Sequence, residues 1–489
     1  MPLPRSLAPL RHRRYAAFWA GAFASNIGTW METIAVGVLV TTQTGQAGWA
    51  GLVAAAAFVP NALLGPLGGA LADRIPRRRL LLGSVTIQTA LAAVLTILAA
   101  TDTAQPWNVT VIVLLSGCAG AIGFPAYQSL MPDLVPRDEL AGAVALGSAQ
   151  WNLGRVIGPA LAGIVIDVGG FEWAFAINTL SFLAVIAAIA PLRLPPPRPK
   201  HGESIVASIR DGARFARREP GIRAVMAYLS LNSLFAAPFI ALVPAMALTV
   251  FDNEDTGTAM LVTAQGIGAV IMALSLGGLA HRYGHRRVLL VALVALPPAL
   301  VAYALSPTLE LAVLAIFFVG AAYLCCLSSF TTIAQLRAPN EMRGRVMSAL
   351  MVLLGVLYPI GSVVQGWIAD EIGLRATTAV AAVLLALAFL AIRSFRPGFD
   401  AELRDPPLGV VHPEALSDPP LSDAAISDEV TSAEPIADAS VADAAQREHA
   451  GDDERRDDDH LAVPPEAEVV VPGRGTGDDP RREQPRAGE

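Results

Sequence analysis

Two ionisable side chains, Glu32 and Arg155, stand inside long apolar runs. A charge at the centre of a bilayer costs about 2.5–3.5 kcal/mol on insertion scales, so such residues are rarely kept without a use. A carboxylate there can take up a proton on one side of a membrane and release it on the other, with a guanidinium as its partner. At about 1.5 Å per residue from the basic ends of their runs, Glu32 lies ~27 Å deep and Arg155 ~21 Å deep. The two could pair if the first and fifth runs are neighbours. A permanent structural ion pair, or a Glu near the outer water, is the competing reading of Glu32. Ser25, Gly28, Thr29 and Glu32 share one small, polar stripe of a helix.

Other chemistry is scarce. Cys118, Cys325 and Cys326 lie in apolar runs at spacings that fit neither a disulfide framework nor a zinc site. The seven histidines lie outside those runs, so no intramembrane metal cluster is expected. The one lysine, Lys200, lies between Pro199 and His201, which excludes a phosphate-binding Gly-Lys-Ser/Thr loop. No cofactor is implied, and none of these residues sets up the active site of an enzyme. Polar and aromatic residues in the inner runs mark a candidate substrate cavity: Asn26, Trp30, Gln128, Asn152, Asn232, Gln265, Tyr323, Tyr358 and Gln365. Each could equally make a helix–helix hydrogen bond. The mix of apolar, aromatic and amide groups suits an amphiphilic organic solute better than a sugar or a multiply charged ion.

The elements that must position these residues are transmembrane helices. The chain has 489 residues, 54% hydrophobic and only 16% charged, where a soluble chain carries about 25% charged residues. Twelve runs are long and apolar enough to span a bilayer, at about 15–40, 47–72, 80–100, 109–130, 141–166, 174–192, 222–250, 256–280, 288–305, 309–333, 344–369 and 375–395. Ala22-Phe23-Ala24 resembles a signal-peptidase site, but the apolar run continues unbroken to Val40, so the first span is expected to stay. Segment 193–221, with Pro195 to Pro197 and seven basic residues, divides the helices six and six. Within it, Ile205, Ile209, Gly212 and Ala216 form one face of an amphipathic surface helix that could tether the halves. The expected organisation is a six-helix bundle over 1–192, a linker over 193–221, a second bundle over 222–396 and an acidic, disordered tail over 397–489.

The net charge of −7 hides this division. Residues from 400 onward carry 24 acidic side chains and eight arginines, while the preceding part is net basic. With too little apolar content to bury, the tail is expected to be disordered. In the body, Arg11, Arg13, Arg14, Arg74, Arg77, Arg78, Arg79, Arg282, Arg286 and Arg287 fall on one side, and the loops on the other side lack arginine until Arg375. That asymmetry places both termini in the cytoplasm. Thirty-four arginines against one lysine suggest a GC-rich bacterial genome and an inner (plasma) membrane.

A repeat supports the two halves. Gly68-Gly69-Ala70-Leu71-Ala72-Asp73-Arg74-Ile75-Pro76-Arg77-Arg78-Arg79 follows the second span, and Gly277-Gly278-Leu279-Ala280-His281-Arg282-Tyr283-Gly284-His285-Arg286-Arg287 follows the eighth. Gly158-Pro159 with Gly163 and Asp167 matches Gly361-Ser362 with Gly366 and Asp370 at one offset. Six-helix repeats of this kind are a transporter architecture. With twelve spans and a basic middle loop, the chain resembles the major facilitator superfamily over roughly residues 10–396. Trp30-Met31-Glu32-Thr33, Gly123-Phe124-Pro125-Ala126, Pro132-Asp133-Leu134-Val135-Pro136 and Arg343-Gly344-Arg345-Val346 look like the branch that contains the enterobactin exporter and macrolide efflux pumps.

The resemblance implies an all-α membrane fold and a gating loop of Gly69, Asp73, Arg74, Arg77 and Arg78 that latches one conformation against helix 11. Gly69 would permit close helix approach, and Asp73 would meet a helix N-terminus. Pro76, where the family has Gly, and His281, opposite Asp73 in the repeat, depart from the pattern. The second loop (Gly277, His281, Arg282, Arg286) is thus the weaker latch. Gly154, Gly158, Pro159 and Gly163 are similar to the antiporter signature of drug–proton exchangers, with Ala162 in place of one glycine. The expected function is proton-coupled export of amphiphilic small molecules, such as drugs, antibiotics or siderophores, by a monomer whose partners are solute, protons and lipid, with no nucleic acid. An uptake permease of the same fold, and a membrane sensor or scaffold that has lost transport, are the alternatives.

Overall fold

The structure is a computed structural model that describes residues 5–192, 205–253, 256–395 and 398–403. These all belong to the unit Met1–Asp418. Among the described residues there are helices and no strand, and twelve helices are long and apolar enough to cross a membrane.

The first six spans are α1 (Arg13–Thr44), α2 (Ala47–Arg74), α3 (Arg77–Ala100), α4 (Pro106–Leu134), α5 (Leu140–Gly169) and α6 (Phe171–Ile189). A linker helix, α7 (Ile205–Arg218), precedes α8 (Pro220–Leu231), α9 (Phe239–Phe251), α10 (Gly257–Tyr283), α11 (His285–Leu305), α12 (Leu309–Arg337), α13 (Asn340–Ile372) and α14 (Leu374–Phe395). Most expected spans fall on a single helix, usually a few residues longer than the apolar run; the sixth run, 174–192, outlasts its helix, which ends at Ile189. Many ends carry local stop and start signals. Gly45 closes α1 in the left-handed region (φ 65°), and Gln105 with Asn108 forms a reciprocal capping box ahead of Pro106.

The seventh span is not one regular helix. Pro238 has no backbone N–H to donate, and the chain before it widens to a π turn over Asn232–Ala236, with Ala237 N–H donating to Asn232 O at 2.8 Å. Gln365 of α13 donates to the carbonyls of Leu234 (2.8 Å) and Phe235 (3.2 Å), which satisfies acceptors that the break frees. Gln365, expected as a cavity group, is thus engaged as a crosspiece between α13 and the break.

Within the first six spans, α1 packs on α5 and α6, and α4 on α2 and α3; within the second six, α12 packs on α10 and α11, and α14 on α11. The two sets meet along α2–α13 and α5–α10. Helix α7 turns Gly212 and Ala216 onto the start of α13, where a Cβ on Gly212 would strike the Arg345 carbonyl. Glu219 caps α8 and pairs with Arg337 of α12 at 2.8 Å with both side chains mostly buried, fixing where the seventh span begins.

The structured body runs past the expected boundary at 396. Phe399–Leu403, expected in the acidic tail, form a 3-10 turn with Phe399 and Leu403 buried. Asp400 accepts from Tyr228 Oη at 2.7 Å and faces Arg393 at 3.6 Å, while Arg286 donates to the Asp400 carbonyl and Arg223 pairs with Glu402. Two apolar anchors with acids set against basic helix ends explain why this stretch packs despite its acidic context. The rest of the tail, from 404, lies outside the described residues, as does the proline-rich part of the linker.

Candidate functional site

Helices α1 and α5 are neighbours because glycine lets them be. A Cβ on Gly158 would lie 2.5 Å from Trp30 Cβ and 2.9 Å from the Ile27 carbonyl, and one on Gly154 would lie 3.0 Å from Asn26 Cβ. Nearer the basic end, Tyr15 Oη donates to the Ala143 carbonyl and Trp19 Nε1 to the Leu146 carbonyl, both at 3.0 Å. The Gly154, Gly158, Pro159 and Gly163 face of α5 is buried, and Gly154 and Gly158 of that face form the seam with α1.

That seam brings Glu32 and Arg155 to neighbouring helices but does not pair them. Asn178 Nδ2 of α6 donates to Glu32 Oε2 at 2.6 Å, and Ser181 Oγ lies 3.2 Å from Asn178 Oδ1. Gly28, one turn before Glu32, has no room for a Cβ beside Asn178 and Ser181, so its absence lets the amide reach the carboxylate. The reason for the missing pair is angular. Trp30 and Glu32 are two residues apart, roughly 200° around a helix, so the face that meets α5 turns Glu32 towards α6.

Arg155 points to the junction of the two six-helix sets. Its guanidinium lies 5.8 Å from the Trp30 ring centroid, a cation–π geometry. Tyr323 of α12 and Tyr358 of α13 lie within electrostatic reach of it. More rings frame the group: Trp151 meets Trp30 edge-on at 6.0 Å, Phe58 meets Tyr358 at 4.9 Å, and Phe239 meets Tyr323 at 5.9 Å. Among the described residues no carboxylate pairs with Arg155 and no hydrogen bond engages it. A half-buried cation with aromatic neighbours and no counter-charge can receive an anion or stack on a flat ring.

The remaining cavity candidates divide. Asn152 donates to its own helix at Ser148 (2.8 Å), Asn26 packs on Gly154, and Gln128 is exposed. Asn232 and Gln265 are buried, and Asn232 Oδ1 and Nδ2 and Gln265 Nε2 have no hydrogen-bond partner among the described residues. Buried amides left so are uncommon, since burial without a hydrogen bond costs about 1–3 kcal/mol on protein scales.

The two ends of the bundle differ. At the end carrying Gly45, Asp252 and Gly373, Asp370 Oδ1 and Oδ2 accept from the first two N–H groups of α2, Ala47 at 2.6 Å and Gly48 at 3.0 Å. A carboxylate against a helix N-terminus is favoured by the free N–H groups and the helix dipole. Added Cβ atoms on Gly48 and Gly51 would strike Trp367 and Ser362, and Pro244 of α9 closes on Gly37 of α1. This end is sealed across the two helix sets.

At the basic end the loops behave otherwise. Around Gly69, Gly277 and Gly278 an added Cβ would meet nothing, so the expected close approach at Gly69 is absent; Gly68 makes it instead, against the carbonyls of Ala121 and Ile122 in α4. Arg77 pairs with Asp133 at 2.6 Å and donates to the Ser129 carbonyl, and Arg78 donates to the Ala190 carbonyl at 3.0 Å. These contacts stay within the first six spans. Arg74, His281 and Arg282 are exposed, and Arg286 donates to the Asp400 carbonyl of the 399–403 turn. The Asp73 side chain lies outside the described residues.

A membrane body of twelve helices, a polar centre between two sets of six and one sealed end define the geometry of an alternating-access transporter. The model of the transmembrane secretion effector family matches residues 5–417. The chain belongs to that family, within the major facilitator superfamily. It is 28% identical over 379 residues to the multidrug efflux pump Tap of Mycolicibacterium fortuitum, covering 76% of this chain and 91% of that protein. To macrolide efflux protein A of Streptococcus pyogenes it is 24% identical over 374 residues, covering 74% and 91%. Among solved structures it is similar in fold to a bacterial homologue of the lysosomal transporter Spinster, inward-facing and unoccupied (TM-score 0.62, 15% identity, 82% of this chain and 99% of that one). The nucleoside transporter NupG is a second (TM-score 0.59, 15% identity, 78% and 99%).

Sequence reasoning missed Asn178, Trp151, Phe58 and Asp370 as site residues. Asn178 was visible as an amide in an otherwise apolar run. Asp370 was visible in the repeat but not as a lock, because nothing local tells which helix it meets.

Proposed function

We propose that the protein exports amphiphilic small molecules, drugs and antibiotics among them, in exchange for protons, working as a monomer in a bacterial plasma membrane with both termini in the cytoplasm. The arginine asymmetry supports the topology: the end where Asp370 bridges to α2 is the end whose loops lack arginine, which this reading takes as the outer end. In this reading the described conformation is closed outward. Efflux relatives over three quarters of the chain support export over uptake.

In this reading the two deep ionisable groups have separate tasks. Glu32 carries the proton: its carboxylate is held by Asn178 inside one six-helix set, so its protonation can loosen or tighten that set without a substrate group attached. The centre between the sets holds the solute. Each proton crossing about 150 mV supplies roughly 3.5 kcal/mol, at ~2.3 kcal/mol per 100 mV, enough for a several-hundred-fold gradient. The deciding experiment follows a lipophilic fluorescent dye in everted membrane vesicles energised by a proton gradient. Wild type is expected to accumulate the dye and to release it when the gradient is collapsed. Accumulation that is indifferent to the gradient would defeat the proton-exchange reading.

A further inference from the structure

Among the described residues, no carboxylate and no hydrogen bond answers the deep cation Arg155. Glu32, the other deep charge, is engaged by Asn178 on the far face of α1 and is not available to Arg155. Arg155 instead lies over Trp30, which Trp151 meets edge-on, and the phenols of Tyr323 and Tyr358 are within electrostatic reach of it. These residues come from α1 and α5 of one set and α12 and α13 of the other. The place lies between the two sets.

The chemistry of such a place is specific. A planar guanidinium over an indole, with no hydrogen bond to its N–H groups, leaves its N–H fork free for a two-oxygen anion as a bidentate partner. The surrounding rings offer flat apolar faces and no second cation, so they accept the aromatic or apolar body of the same molecule. The phenol hydroxyls can donate to an oxyanion. A second cation would meet repulsion there and a neutral solute would leave the guanidinium unanswered.

We propose that Arg155, Trp30, Tyr323 and Tyr358 form an oxyanion subsite. It selects amphiphiles that carry a carboxylate or similar two-oxygen acid on an aromatic body, so a class of the exported solutes is anionic. This rests on the transporter reading above. An anionic lipid headgroup offers the same oxyanion chemistry and is separated from a solute by the arms of the test.

The test uses the full chain in nanodiscs of zwitterionic phosphatidylcholine. Tryptophan emission is read during titration with 9-anthracenecarboxylate, 9-anthracenecarboxamide and 9-(aminomethyl)anthracene, which share one ring system and differ in charge. Wild type is expected to bind the carboxylate about ten-fold tighter than the amide, a difference worth ~1.4 kcal/mol, with the ammonium weakest. Arg155→Gln is expected to bring the carboxylate down to the affinity of the amide. Arg155→Lys, which keeps the charge but loses the planar fork, is expected to fall between and to guard against a folding defect in the Gln variant. Equal binding of carboxylate and amide by wild type, binding of none of the three, or a preference that survives Arg155→Gln would each overturn the subsite. A preference abolished by adding phosphatidylglycerol to the discs would assign the subsite to lipid and overturn the solute proposal. Gradient-driven transport in everted vesicles is measured separately. Its absence with the preference intact would sink the transporter reading and leave the subsite standing, and transport without the preference would do the reverse.

Discussion

Glu32 and Arg155 sit at similar depth on adjacent helices and live in opposite circumstances. The carboxylate is answered inside its own six-helix set by an amide 2.6 Å away, and the guanidinium stands between the sets with a ring and no counter-charge. Depth alone suggested a pair. The α1–α5 seam decides otherwise, because the glycines that bring the helices together also fix which face of each is turned inward. A charge satisfied within one rigid body can store a proton through a conformational cycle, whereas one between two bodies senses what is bound there.

The division can be broken at the seam, and this should give the largest effect. Gly158→Val puts a branched side chain where a single Cβ already lies 2.5 Å from Trp30. Overpacking of this kind costs about 1–3 kcal/mol and shifts α1, so dye transport is expected to fall more than ten-fold with a lower melting temperature in detergent. Unchanged transport would mean that the seam does not set the geometry. Next comes the amide. Asn178→Ala removes a hydrogen bond to a charged group, worth about 1.5–3 kcal/mol, and is expected to cut gradient-driven accumulation about ten-fold while binding of the anthracene probes stays near wild type. Loss of probe binding instead would erase the proposed separation of tasks.

A smaller effect is expected at the sealed end. Asp370→Asn removes the charge from a carboxylate that accepts two N–H groups of α2. A helix-terminus charge contributes about 1 kcal/mol, so thiol labelling of a Thr41→Cys probe, buried one turn beyond Gly37 on α1, should quicken about five-fold. Asp167 is the counterpart of Asp370 in the repeat, yet it is exposed, and the start of α10 is capped by its own Asn253. Asp167→Asn is accordingly expected to change labelling by less than about two-fold. Equal effects of the two substitutions would show that the seal is not built on Asp370.

Much of this was legible in the sequence. Twelve apolar runs, a proline-rich divider and an asymmetric arginine pattern specify the membrane fold, because a bilayer demands long apolar helices and little else. The small-residue face of α5 announced a close helix contact, and the contact is there. Three things were not legible. The direction of Glu32 depends on a two-residue angular offset that matters only once α5 and α6 are both placed. Gly69 and Gly68 are indistinguishable in composition, and only packing against α4 shows that Gly68 is the contact. The π turn at Asn232–Ala236 was hidden because Gln365, which satisfies its carbonyls, lies more than a hundred residues away and reads as a cavity amide.

The central claim is that Glu32 carries the coupling proton and that solute recognition lies elsewhere. It is tested most directly by comparing two modes of transport in the same proteoliposomes containing Glu32→Gln. Gradient-driven accumulation of dye should be lost, while exchange of labelled for unlabelled dye, which needs no net proton movement, should continue at a rate near wild type. Gradient-driven accumulation at the wild-type level by Glu32→Gln, with the variant inserted at wild-type abundance, would contradict the claim.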